Sequence, residues 1–166
     1  MTELNPLNHP ALFRAPARLS GDGGGVAHAP FLFFLLNVLR PRVLVELGTF
    51  VGDGYCAFCQ AVEADQLATR CYAISTWTGS QAEESLANLR AYHDPRYGAF
   101  SRLLPAEPAI ALTQFADQTV DLLSLEAGAL TAETVEAWLP KLSPRALVLC
   151  PAIQGAASDL WANLKK

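Results

Sequence analysis

The chain has 166 residues, of which 51% are hydrophobic and 17% charged, so it can build a folded core and is not disordered over most of its length. Twelve basic and sixteen acidic residues give a net charge of −4. Because the basic residues are scattered rather than gathered in a patch, we exclude nucleic acid as an expected partner. Four cysteines are too few for a disulfide framework and indicate a reducing compartment.

The longest apolar run, residues 31–39, is interrupted by Asn37 and bounded by Pro30 and Pro41. It is too short to span a bilayer, so no membrane-spanning segment is expected. No basic stretch followed by an apolar stretch opens the chain, so no secretory signal is expected either. These features predict a cytoplasmic protein.

Residues 1–29 are predicted to form an N-terminal arm, because they contain three prolines and a glycine-rich hinge at 21–25. The arm is expected either to lie over the domain that follows, residues 30–166, or to be partly mobile. Pro30 suits the first turn of a helix reaching about Leu39, since its missing N–H does little harm there. Pro41 ends that helix.

Short apolar runs then alternate with helical segments. The predicted strands are 43–47, 71–74, 100–104, 120–125 and 146–150, and the predicted helices are 54–64, 80–92, 108–115, 132–139 and 158–164. Ser80 and Glu83 have the spacing of a capping box, and residues 93–98 are predicted to form a polar loop. The alternation predicts an α/β, Rossmann-like three-layer sandwich of about five mainly parallel strands with helices on both faces.

The turn after the first strand carries an acidic residue and two glycines, Glu46, Gly48 and Gly52. Glycine is needed where the backbone turns sharply or approaches a ligand, and the following helix presents free N–H groups. A tight turn with no ligand is one interpretation. Residues 52–57 also fit a G-x-G-x-x-A dinucleotide fingerprint, but Gly52 comes five residues after Leu47 rather than directly after the strand.

The acidic-x-Gly-x-x-x-Gly spacing is similar to the first motif of class I S-adenosylmethionine (SAM)-dependent methyltransferases. Further segments resemble one bacterial branch of that family, often encoded beside or fused to glycosyltransferases of surface-glycan synthesis; they are 43–49, 57–62, 71–73, 76–77, 91–98, 121–123, 138–143 and 160–161. The full fold of that family has two more strands after the fifth. The fifth strand is therefore expected to be a sheet edge, covered by a second copy, another protein or the arm.

The resemblance implies SAM as cofactor, with Glu46, Gly48 and Gly52 at its methionine half and Thr49 in the same turn. It also implies an acid at the end of the second strand that holds the ribose hydroxyls, but Ser75 stands there. We therefore expect weakened cofactor binding, because a hydroxyl makes fewer and weaker hydrogen bonds than a carboxylate. Trp77 is a candidate for stacking on adenine, with a core or rim position as the equal alternative.

The branch usually has His-Ile-Asp-Gly and a later His after the fourth strand, and His-Asp-Thr after the fifth. Residues 124–127 here read Ser-Leu-Glu-Ala, Ala129 replaces the later His, and residues 151–153 read Pro-Ala-Ile. Glu126 is the surviving carboxylate and the candidate catalytic base. No metal is expected, because the carboxylates and imidazoles that would hold one are replaced.

Other chemistry-bearing residues have simpler interpretations. Cys56 and Cys59 form a C-x-x-C pair on a predicted helix, and burial as small apolar residues is favoured over redox chemistry. His28 precedes the first helix, where packing is favoured over a general-base role. His93 is placed in the polar loop, with Asp94 bonding nearby backbone.

Three functions remain open. The first is a degenerate methyltransferase-like domain with weak or no catalysis, which binds SAM or its product or serves as a scaffold in glycan synthesis. The second is an active, metal-independent O-methyltransferase that acts on a sugar or small-molecule hydroxyl, with Glu126 as base. The third is a dinucleotide-binding oxidoreductase, disfavoured by the glycine offset and by Ser75.

Overall fold

The structure, a computed structural model, describes residues 5–21 and 28–150. Within these ranges, no helix combines the length and apolar character needed to cross a membrane. The predicted helix 158–164, positions 151–153 and most of the predicted hinge lie outside the described residues.

Five strands form one sheet: β1 (Val43–Leu47), β2 (Arg70–Ser75), β3 (Ser101–Pro105), β4 (Val120–Leu125) and β5 (Leu142–Leu149). Their order is β3-β2-β1-β4-β5, and every neighbouring pair is parallel. All five carboxyl ends therefore meet at one edge, where parallel sheets bind ligands. The predicted α/β, Rossmann-like fold is confirmed.

Five α-helices accompany the sheet in the described ranges: α1 (Ala29–Leu39), α2 (Asp53–Ala64), α3 (Ser80–Tyr97), α4 (Pro108–Ala111) and α5 (Ala132–Trp138). Successive strand residues point to opposite faces, so Leu44 packs with α1, α2 and α3 while Val45 packs with α4 and α5. The two resulting cores hold the sheet between helical layers.

The predicted loop 93–98 is wrong, because α3 continues through Pro95 to Tyr97. His93 and Tyr97 are 1% and 2% exposed, and the ring of His93 hydrogen-bonds Ser101 Oγ at 2.7 Å. Burial of these two aromatic side chains outweighs the backbone hydrogen bond lost at the proline. The predicted capping box is also wrong, since α3 begins after Gly79 and has no side-chain cap.

Two further elements differ from the prediction by more than one residue. Helix α4 is a single turn followed by a 3₁₀ turn at Leu112–Gln114, instead of one helix over 108–115. Strand β5 begins at Leu142, four residues early, and includes Pro144. Its register against β4 shifts between Val120 and Leu122, and this irregularity accommodates the proline on a strand with one partner in the described sheet.

The described part of the arm, residues 5–21, packs on the helices of one face. His9 bonds Asn37 of α1 at 3.1 Å, and Arg14 forms an ion pair with Asp65, just after α2, at 2.7 Å. Residues 5–21 thus lie against helices α1 and α2. Their described contacts are with α1, α2, α3 and the glycine turn, and what covers the edge of β5 stays a prediction.

Candidate functional site

The glycine turn joins β1 to α2 as a strand–turn–helix. The backbone φ is +84° at Gly48 and +79° at Gly52, in the left-handed region that favours glycine. The Gly48 N–H donates to the carbonyl of Ile74 on β2 at 2.8 Å, and Gly52 is the N-cap of α2. The turn is therefore anchored to the second strand before the helix begins.

Both glycines are also closely packed. A Cβ at Gly48 would lie 2.9 Å from the Cβ of Ala129, in the loop after β4. A Cβ at Gly52 would lie 2.6 Å from Leu89 Cδ1 on α3. The two glycines thus let the β4 loop and α3 approach the turn from opposite sides.

Two carboxyl groups lie next to each other beside this turn. Glu46 is 2% exposed, and its carboxylate accepts a hydrogen bond from Thr49 Oγ1 at 2.7 Å. Burial, and after it the negative charge of Glu126, raise the pKa of Glu46 to about 8, although the Thr49 hydrogen bond opposes the rise. Glu46 is therefore mainly protonated near neutral pH.

Glu126 follows β4 directly. Its N–H donates to the carbonyl of Leu47 at 2.9 Å, so the chain stays joined to β1 past the end of the strand. Since Glu46 pairs with Ser124 in register, Glu126 lies two residues further along the same face. Partial burial raises the pKa of Glu126. This acidic pair is suited to a positively charged ligand.

A cleft of about 320 Å³ opens at the carboxyl edge of the sheet. It is lined by residues from the ends of β1, β2 and β3 and from the segment after β4: Gly48, Ser75, Thr76, Glu107, Pro108, Gly128, Ala129 and Thr134. Two predicted cofactor-binding residues, Gly48 and Ser75, are thus brought into one cleft. Glu107 was missed, although an acid two residues past a strand of this edge was a signal that could have found it.

Trp77 does not line this cleft. It is 4% exposed, packs with the core of α1, α2 and α3, and donates from Nε1 to the Phe50 carbonyl at 3.0 Å. Its φ of +44° shows that the segment after β2 bends to make this contact. Trp77 thus ties the glycine turn to β2, and its stacking on adenine stays a prediction.

A residue of the N-terminal arm reaches the glycine turn. The Arg18 guanidinium bonds the Asp53 carboxylate and donates to the Val51 carbonyl at 2.6 Å. Ser20 adds hydrogen bonds to Asp53 from its backbone N–H at 2.8 Å and its hydroxyl at 2.6 Å. Sequence reasoning missed this contact, since 33 residues separate Ser20 from Asp53.

The remaining candidates lie away from the turn or have structural partners. Cys56 and Cys59 are 2% and 0% exposed, as predicted, and burial raises the pKa of both thiols. His28 is exposed at the entry of α1, where its carbonyl accepts from Leu32 N–H at 3.0 Å. In residues 5–21 and 28–150 no three His, Cys, Asp or Glu side chains cluster as metal ligands would.

Comparison with known proteins places this geometry in a family. Residues 45–151 match the family described as "Methyltransferase domain". An uncharacterized protein, y4gI, of Sinorhizobium fredii is 40% identical over 152 residues, which cover 87% of this chain. The same residues cover 16% of y4gI, so the chain spans a small part of that relative's length.

Solved structures share the fold at low sequence identity. The SAH-bound methyltransferase PaMTH1 of Podospora anserina superposes with a TM-score of 0.67 at 14% identity, covering 98% of this chain and 80% of that one. The O-methyltransferase TomG of Streptomyces achromogenes, in complex with SAM, gives 0.60 at 18% identity, covering 99% and 77%. The family match includes the glycine turn, β2 to β5 and both acidic residues beside the turn, and the chain belongs to the class I SAM-dependent methyltransferase family.

Proposed function

We propose that this domain binds SAM, or its product S-adenosylhomocysteine (SAH), at the carboxyl edge of β1, β2 and β4. Glu46, Gly48, Thr49 and Gly52 would hold the methionine half, and Ser75 would lie at the adenosine half. The observation that carries the proposal is that Gly48 belongs to both the glycine turn and the 320 Å³ cleft. One ligand can therefore contact the turn and the end of β2 together.

The residues present fit such a ligand in charge and size. SAM carries an ammonium and a sulfonium group, and a positive charge at the turn would offset the repulsion between Glu46 and Glu126 that helps to raise the pKa of Glu46. The cleft volume lies in the range of about 300–1,000 Å³ that small-molecule sites occupy. When bound, SAM supplies a methyl group on a sulfonium leaving group.

We propose that methyl transfer by this domain is weak or lost. Glu126 is the one acid that follows β4 directly, and the next residues, Ala127, Gly128 and Ala129, offer no group for acid–base chemistry. The domain would then act as a SAM- or SAH-binding or scaffolding unit in glycan synthesis. The length of y4gI supports a place in a larger chain, and a glycosyltransferase partner is what the sequence resemblance implies.

A second candidate is a metal-independent O-methyltransferase that acts on a sugar or small-molecule hydroxyl. It is favoured by the raised pKa of Glu126, since a general base works best when its pKa lies close to the working pH. Glu126 would accept the hydroxyl proton, and positioning of the two reactants would supply much of the acceleration.

Calorimetric titration with SAH tests the binding proposal. We expect micromolar affinity that is lost in Gly48→Val, because a side chain there collides with Ala129 and narrows the cleft. Circular dichroism and thermal melting would show that the variant folds. No heat at millimolar SAH would overturn the proposal, and binding of NADH instead would support the oxidoreductase hypothesis.

A methyl-transfer assay on hydroxyl acceptors separates the two candidates. Turnover that falls in Glu126→Gln supports the active enzyme with Glu126 as base, whereas SAH binding without turnover supports the degenerate domain. Light scattering after size-exclusion chromatography tests a homo-oligomer through the β5 edge, and a strict monomer at high concentration would exclude it.

A further inference from the structure

The cleft brings two side chains from neighbouring strand ends to the same wall. Ser75 ends β2, and Glu107 lies two residues beyond the end of β3. Strands β2 and β3 pair Ser75 with Pro105, and the Ala106 N–H donates to the Ser75 carbonyl at 2.9 Å. The pairing therefore continues past β3 and holds Glu107 at a fixed offset from Ser75.

The backbone of Glu107 is held from its other side as well. Its carbonyl accepts hydrogen bonds from the N–H groups of Ile110 and Ala111, both at 2.9 Å, as the N-cap of α4. Its side chain does not cap that helix. Among residues 5–21 and 28–150 the carboxylate has no hydrogen bond or ion pair, and it lines the cleft. The anchored backbone thus presents a carboxylate that is available to a ligand.

We propose that Glu107 binds the ribose diol of the cofactor and supplies the carboxylate that Ser75 lacks. This assignment rests on the proposed function. Two neighbouring hydroxyls donate two hydrogen bonds, and a carboxylate has two acceptor oxygens, whereas a serine hydroxyl has one. Hydrogen bonds to a charged acceptor are also the stronger kind. The acid has moved from the end of β2 to the segment after the adjacent strand.

The adenine amino group is the competing partner for this carboxylate, because it also donates hydrogen bonds. The diol is favoured by Ser75, which lines the same cleft and can share one of the two hydroxyls with Glu107. An amino group would leave the Ser75 hydroxyl without a role. The two partners are separable with a ligand that keeps adenine and lacks the diol.

Affinity measurements on three variants and two ligands test the assignment. The ligands are SAH and 2′,3′-dideoxy SAH, and the variants are Glu107→Gln, Ser75→Asp/Glu107→Gln and Glu84→Gln. We expect Glu107→Gln to weaken SAH binding by about 10- to 100-fold and to leave binding of the dideoxy ligand unchanged. Ser75→Asp should restore SAH affinity in the Glu107→Gln background. Glu84→Gln removes the same charge at an exposed position of α3, away from the cleft, and should leave the affinity for both ligands unchanged.

Each contrary result has a distinct meaning. If wild-type protein binds SAH and Glu107→Gln binds it with the same affinity, the assignment is overturned and the proposed function stands. If Glu107→Gln weakens the binding of SAH and of 2′,3′-dideoxy SAH equally, the diol assignment is overturned in favour of a contact with adenine. No SAH binding by wild type would overturn the proposed function and the assignment with it.

Discussion

The buried carboxylate of Asp53, at the first residue of α2, is bonded by Arg18 from the N-terminal arm. The side chains of Arg18 and Asp53 are 11% and 4% exposed, and the Arg18 guanidinium also lies 5.7 Å from the ring centre of Tyr92 on α3. One arginine thus connects the arm, the glycine turn and α3. The conformation of the proposed cofactor turn is therefore coupled to the arm.

Arg18→Met should destabilise the protein by about 3 kcal/mol, because it leaves Asp53 buried without its charged partner. It should also weaken SAH binding, since the Val51 carbonyl loses its donor and the turn is held less firmly. Urea unfolding and calorimetry would measure the two effects. Arg90→Met, at an exposed site on α3, is the matched control. If Arg18→Met lost no more stability and no more SAH affinity than Arg90→Met, the arm would not be coupled to the turn.

Asp53→Asn separates charge from hydrogen bonding in this contact. The amide removes the charge and keeps one acceptor oxygen, for either Arg18 or Ser20, which donate to different oxygens of Asp53, and we expect a smaller loss of stability than in Arg18→Met. A double-mutant cycle between the two positions should give a coupling free energy above about 1 kcal/mol. Additive effects would mean that Arg18 and Asp53 stabilise the fold independently.

Gly52→Ala should destabilise the protein by about 1–3 kcal/mol. The added Cβ would meet Leu89 Cδ1 at 2.6 Å, and the φ of +79° is unfavourable for any residue with a side chain. In a Leu89→Ala background the steric part should disappear and about 1 kcal/mol of backbone strain should remain. Thermal unfolding of wild type, the two single variants and the double variant tests this. If Gly52→Ala destabilises the Leu89→Ala protein as much as it destabilises wild type, the predicted collision is excluded.

The sequence predicted the sheet well because the buried strands are apolar on both faces. Val43–Leu47 and Val120–Leu125 match their predicted bounds, and the strand–turn–helix at Gly48 and Gly52 was expected from their spacing. The end of α3 was not predicted, because Pro95 indicates a loop locally and the burial of His93 becomes visible only in three dimensions.

The site was predicted where its residues are close in the chain and missed where the fold brings them together. Glu46, Gly48 and Thr49 share one turn, so their spacing identified them. Arg18 comes from the arm, and no local pattern indicates its contacts. Glu107 follows β3 by two residues, but its place in the cleft depends on β3 lying beside β2. Their roles depend on strand order and on the path of the arm, which tertiary packing determines.

Asp121 stabilises the end of the sheet opposite the cleft. It is fully buried, accepts hydrogen bonds from Arg42 and Ser143, and has a pKa held below its usual value by Arg42, although burial alone would raise it. Asp121→Ala should cost about 3 kcal/mol, because buried donors lose their acceptor. Asp117→Ala, at an exposed ion pair with Lys141, should cost less than about 1 kcal/mol.

The lowered pKa of Asp121 also predicts an acid-sensitive fold. Its stabilisation is fully present above the unfolded-state pKa of about 4 and is lost as pH falls toward the lower folded-state value. Unfolding free energies between pH 6 and 3 should therefore fall more steeply for wild type than for Asp121→Asn. If the unfolding free energies of wild type and Asp121→Asn fell in parallel with pH, the acid sensitivity would come from other carboxylates.

Glu46 should produce the opposite pH dependence. Its folded-state pKa of about 8 lies above the unfolded value near 4.5, so the folded state binds more protons between these two pH values. Stability is then fully present below about pH 4.5 and is lost as pH rises through 8. The unfolding free energy of wild type should fall by a few kcal/mol between pH 5 and 9 because Glu46 ionises.

Glu46→Gln isolates this contribution, because the amide still accepts the Thr49 hydrogen bond and carries no ionisable proton. We expect its stability to vary less with pH and to exceed that of wild type above pH 8, as measured by urea unfolding. Glu83→Gln, exposed on α3, should follow wild type. A Glu46→Gln curve that also follows wild type would show that Glu46 ionises freely in the folded protein, with a pKa close to its unfolded-state value.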